Sequence, residues 1–230
     1  MQFGYGLNYL IDIENAVIVD VEATPARTYD EVAATKVMIK RTDERLGLKP
    51  ERLAADTAYG TGRFLSWLIG TGITPHIPVW DMSQREDGTF SRRDFVFDPE
   101  RDVHTCPQGK LLTTTGRVHD GRTLLYRASK RDCDVCSLKP KCSPNSPKRK
   151  IPRDVNEQAR DFARSLADIE PFDRSRRERK KVEMRFAHVN RLWRPPPDAQ
   201  AYVLGECQLP LAQGRQPQSS LHNGSDEYPR

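Results

Sequence analysis

Two carboxylates and four thiols are the residues of this sequence whose types and spacing could do chemistry. Asp56 closes the short apolar run of "RLAADTAYGTG" (52–62) and is followed at once by small, turn-forming residues. An aspartate so placed commonly forms an Asx turn, and taken alone Asp56 favours that reading. The alternative is a hard oxygen ligand for Mg²⁺ at a strand end. Glu183 lies in "SRRERKKVEMRFAHVNRLW" (175–193), beside an apolar stripe made by Val182, Phe186, Val189 and Trp193 at i, i+4, i+7 and i+11. Its carboxylate is therefore expected at the rim of a packed helical face. Cys106, Cys133, Cys136 and Cys142 include one Cys-x-x-Cys pair, and four thiolates can close a tetrahedral zinc site with no open position. Such a site is structural. His104 and His119 could each replace one ligand but read more simply as surface histidines, and Cys207 stands apart.

These groups need elements to hold them. "YGLNYLIDI" (5–13) and "AVIVDVEAT" (16–24) are rich in β-formers and close enough together for a hairpin. Thr28 or Asp30 then caps a helix in which Val32, Met38, Ile39 and Leu46 recur at roughly helical spacing, and Gly47 ends it. "ERLAAD" (51–56) reads as a third strand, "TGRFLSWLIGTG" (61–72) as a second helix and "ITPHIPVW" (73–80) as a fourth strand. From Asp81 to Arg153 helical periodicity gives way to Gly, Pro, Lys and Cys, the composition of a loop-rich insertion. Two more helices follow, over 156–169 and 175–193. Three prolines at 195–197 stop the second of them, and the stretch 194–230 has no period and is expected to be disordered.

In order and in spacing, "NYLIDIENAVIVDVEATP", "LKPERLAADTAYGTGRFLSWL", "FDPERDVHTCPQGK", "DCDVCSLKPKC" and "RRERKKVEMRFAH" resemble the DDE transposases of bacterial insertion sequences, over roughly residues 3–192. The resemblance implies an α/β fold: an RNase H-like mixed sheet with flanking helices, lacking the first strand, plus a loop-rich, four-cysteine, zinc-ribbon-like insertion. On that reading, 1–80 is the first part of the catalytic domain, 81–153 the inserted subdomain, and 154–193 the helices that complete it. The implied reaction is metal-dependent DNA cleavage and strand transfer. Two hard cations about 3.5–4 Å apart can stabilise the entering and leaving oxygens of a phosphodiester. Asp56 matches the second acid of the family's triad and Glu183 the third, as ligands of Mg²⁺ or Mn²⁺. An arginine in the position of Arg179 faces the DNA backbone in the family, and Lys180, Lys181 and Arg185 extend that cationic surface. Implied partners are transposon ends, target DNA and a second copy of the chain.

The sequence departs from the family pattern in three places. The first catalytic aspartate, on the family's opening strand, has no match; Asp12 at the hairpin mouth and Asp20 within the second strand read as turn and surface groups. Asn190 stands where the family usually has a lysine, and the resemblance ends near Leu192, as a shifted reading frame would make it. The chain is accordingly expected to be an incomplete copy that binds DNA without cleaving it. The alternative is a non-catalytic DNA-binding protein that interferes with a full-length transposase.

Charge agrees with a phosphate-bearing partner: Lys+Arg 37 against Asp+Glu 32 gives +5 and a pI near 9.0. A charge run on one helix is ordinarily a solvated face, yet a zinc-stabilised module that ignores DNA would leave the 174–185 run unexplained. No apolar run reaches membrane length, and "MQFGYGLNYLIDIEN" meets Asp12 too early for a signal peptide. A cytoplasmic, nucleoid-associated protein is expected, in a compartment where clustered cysteines favour metal over disulfides.

Overall fold

A computed structural model describes residues 5–15, 17–25, 30–81, 87–192 and 202–209. The chain opens with β1 (Tyr5–Asp12) and β2 (Val17–Pro25), an antiparallel hairpin running from Tyr5↔Pro25 to Asp12↔Val17. Asp12 is buried at the turn, where its carboxylate accepts from the Glu14 and Asn15 backbone N–H groups at 3.0 and 3.3 Å and from Asn15 Nδ2 at 2.5 Å. Helix α1 (Glu31–Leu46) follows; Asp30 takes the N-cap position without a side-chain bond, and Gly47 closes the helix at φ 63°, a left-handed conformation suited to glycine. Then come β3 (Arg52–Ala54), one 3₁₀ turn (Thr57–Tyr59), α2 (Gly62–Gly70) and β4 (Thr74–His76). Leu10, Met38, Leu53, Phe64, Leu65, Leu68 and Ile77 bury their side chains completely in the core these elements share.

A second sheet occupies most of the stretch expected to be loops. Its strands are β5 (Val96–Asp98), β6 (Val103–Thr105), β7 (Leu111–Thr113), β8 (Val118–His119), β9 (Thr123–Ala128) and β10 (Lys150–Asp154). They pair antiparallel in the order β10-β9-β7-β6-β5, with β8 also on β9. Two short helices, α3 (Lys130–Asp134) and α4 (Lys139–Cys142), lie between β9 and β10. Most of these strands are too short for a period of two to be visible in sequence. Phe95, Leu112, Tyr126, Ala128 and Ile151 form their own core, against which Cys106, Cys133 and Cys142 pack.

The chain then forms α5 (Glu157–Leu166), α6 (Glu170–Leu192) and β11 (Tyr202–Leu209). Helix α6 starts five residues earlier than its charge pattern suggested, because Pro171 in the first turn needs no hydrogen-bond partner for its nitrogen. The expected disordered tail also needs correction over 202–209; its remainder lies outside the described residues. β11 inserts between β1 and β3, giving the first sheet the order β2-β1-β11-β3-β4. It runs parallel to β1, from Gly6↔Tyr202 to Asp12↔Leu209, and antiparallel to β3 through Gln208↔Ala54. The sheet is therefore mixed.

The two sheets are tied together at one buried carboxylate. Glu157, 1 % exposed, binds Arg92 at 2.9 Å, Arg160 at 3.2 Å and Arg164 at 2.8 Å, and Arg164 also reaches Asp81 at 2.7 Å. Burial alone would raise the Glu157 carboxyl, but the arginines, Arg92 first, outweigh it and hold it below the usual carboxylate range. Among the described residues no helix is long and apolar enough to cross a membrane.

Candidate active site

Asp56 stands exposed just beyond β3, and its carboxylate accepts the Ala58 backbone N–H at 2.8 Å. The Asx turn is thus real, and it aims the group outward from a strand end. The small residues after it answer a packing demand: a Cβ on Gly60 would lie 2.1 Å from the Pro78 carbonyl oxygen, and Trp80 N–H donates to Gly60 O at 3.1 Å. Glu31, at the start of α1, is a neighbour that nothing in the residue pattern singles out. Burial, then the negative charge of Asp56, pushes its carboxyl above the ordinary value.

Helix α6 is fixed against the strand that leads to Asp56 and against its neighbour. His76 of β4 and Ser175 of α6, both buried, share a hydrogen bond of 2.7 Å between Nδ1 and Oγ, and Phe172 packs on the imidazole with centroids 5.6 Å apart. Burial, aided by Arg52 and Arg174, lowers the His76 pKa to about 4. Arg52 of β3 also lies 3.9 Å from Glu178. One turn further on Val182 is buried, and Glu183 emerges beside it half-exposed, at the rim that the apolar stripe predicts.

Arg179 is not turned wholly outward: it binds Glu183 at 2.5 Å across one helical turn. Lys180 and Lys181 are exposed, whereas the side chains of Arg185 and Asn190 lie outside the described residues. No hydrogen bond or ion pair links Asp56 to Glu183 among the described residues. Asp20 is engaged with Arg41 at 2.7 Å, and Arg41 also reaches Glu22 at 2.8 Å.

Cys106, Cys133, Cys136 and Cys142 are reduced and line one cavity of about 30 Å³. Around Cys106 the backbone folds into a tight turn in which Gly109 N–H donates to its carbonyl at 2.8 Å and Lys110 N–H approaches its sulfur at 3.4 Å. Burial raises the Cys142 thiol, and the other three cysteines push the same way. Even so, among the described residues no three His, Cys, Asp or Glu side chains are arranged to hold a metal ion.

His104 is not a surface residue. It is 1 % exposed, between the rings of Phe97 and Tyr126 at 4.9 and 4.8 Å, and burial lowers its pKa to about 4. Neither it nor His119 lines the cysteine cavity.

Residues 105–194 match the family described as transposase DDE domain. The matched segment contains all four clustered cysteines, Arg179 and Glu183 but not Asp56, and it supports the resemblance to DDE transposases. No curated protein and no solved structure matches the chain.

Proposed function

We propose that this chain is a DDE transposase-type protein that binds DNA through α6 and the inserted sheet, with Asp56 and Glu183 as its metal-binding acids. The observation that carries the reading is the family match across the helix bearing Glu183. Support comes from the docking of that helix on β3, the strand that leads to Asp56, and on β4. The mixed sheet is compatible with an RNase H-like fold. Mg²⁺ held by the two carboxylates would polarise the phosphodiester. The residues around them do the positioning: the Asx turn orients Asp56, His76 and Ser175 fix the helix, and Arg179 balances the charge of Glu183.

Zinc suits the donor set of the insertion, four thiols facing one cavity, and would brace a lobe with a small core of its own. Binding it requires the four thiols to come together, since no three His, Cys, Asp or Glu side chains among the described residues are arranged to hold a metal ion.

Within residues 1–230 neither Asp12 nor Asp20 offers a third acid, since a turn holds the first and Arg41 the second. This favours the second reading, DNA binding without cleavage. Nicking assays on labelled duplex with Mg²⁺ or Mn²⁺, alongside binding by anisotropy, test both. The expected outcome is salt-sensitive binding without nicking by this polypeptide. Nicking that Asp56→Ala abolishes would reject the non-catalytic reading, and absence of DNA binding at low salt would reject both.

A further inference from the structure

The richest unassigned feature is a basic cleft between the two sheets. Its main cavity, about 700 Å³, begins at Gly60–Gly62, after the 3₁₀ turn that follows Asp56, and passes along β10. A second cavity, about 270 Å³, lies under the 143–148 loop. Arg149 and Lys150 line both, so the two cavities adjoin along one basic track. Its direction is set by β10: Asp154, at one end, lies 2.7 Å from where a Gly62 Cβ would be, and Lys150 stands at the other. Four strand intervals span about 14 Å, the rise of about four nucleotides of one DNA strand.

The charges along this track are unequally committed. Arg92 and Arg160 are held by Glu157 and Arg153 by Asp161. Arg122, Lys148 and Lys150 make no ion pair among the described residues, and Arg122 and Lys150 are exposed. At the Asp56 end Trp80 is half-exposed, its backbone carbonyl pinned by Arg160 at 2.5 Å. Uncommitted cations with a half-exposed aromatic side chain at one end fit a phosphodiester backbone with an unpaired base at that end.

We propose that this track binds a single DNA strand leading away from the Asp56 edge, with Lys150 and Lys148 on phosphates and Trp80 stacked on a base. The inference rests on the DNA-binding reading and assigns it a path distinct from the exposed cations of α6. Binding of the full chain to labelled single-stranded and duplex 20-mers, over a range of salt, tests it. Lys148→Ala with Lys150→Ala should weaken single-strand binding and lower the slope of log K against log salt by about 1.4, two phosphate contacts at about 0.7 each. Trp80→Ala should weaken single-strand binding about 5- to 100-fold and leave duplex binding nearly unchanged. If both variants bind single strands like the parent while Lys180→Ala with Lys181→Ala weakens binding, the track is wrong and the DNA reading stands. Equal losses on single strand and duplex would overturn the single-strand assignment. If the parent binds neither DNA, the DNA reading itself fails.

Discussion

At the scale of single residues, the buried histidines make stability depend on acid. His76 has a folded pKa of about 4 against the ordinary 6.5, because burial and two arginines disfavour its cation. Between those values the unfolded chain binds the extra proton and the folded chain does not. Stability is therefore fully present above about pH 6.5 and falls as pH drops toward 4, by at most about 1.4 kcal/mol per pH unit for each such histidine. Urea midpoints at pH 7 and pH 5 should show the loss, and His76→Gln should make the difference smaller. An unchanged difference would mean that His76 is not held neutral. Gly60 offers a second test, since its missing side chain makes room for the Pro78 carbonyl: Gly60→Ala should cost about 1–3 kcal/mol and lower Tm without touching a charged group. The Asx turn at Asp56 was readable from "DTA", because the motif is local. The nearness of Glu31 was not, because it joins residues from different elements.

At the scale of elements, local signals are legible in the sequence and strand pairing is not. The hairpin, α1 with its terminal Gly47, α2 and the final helices all carry period or cap signals within their own residues. The inserted sheet escaped because β5, β6 and β7 have three residues each, too few for an alternation of apolar and polar residues to show. His104 looked exposed for the same reason: only the pairing Phe97↔His104 puts it beneath an aromatic ring. Two element-level outcomes follow from packing. Removing the Ser175 hydroxyl leaves the buried His76 ring unpaired, so Ser175→Ala should destabilise by about 1–3 kcal/mol in chemical denaturation. If the four thiols bind zinc, purified protein should carry one equivalent by elemental analysis, and chelation or Cys133→Ser should lower Tm. Protein without zinc and indifferent to chelator would make the cysteines packing residues only.

At the scale of the whole molecule, the link between the sheets depends on Glu157. Its carboxylate neutralises arginines from both sides of the junction, and a buried charge stripped of its partner is costly. Glu157→Gln should therefore destabilise by about 3–5 kcal/mol, an effect to be read from two-probe unfolding curves, which should separate if the lobes come apart. The sequence hinted at Glu157 only as an acid in a first turn; its three arginine partners converge from 92, 160 and 164. The placement of β11 has a consequence for biosynthesis. Chain leaves a ribosome at about 5–20 residues per second, so the strand that joins β1 to β3 arrives about 10–40 s after β1 does. Through that interval the first hairpin waits with one edge open and the sheet in two pieces. The most sequence-distant pairing, β1 with β11, falls at the centre of the sheet. Completion of the first sheet thereby waits until after the inserted sheet has had all of its strands.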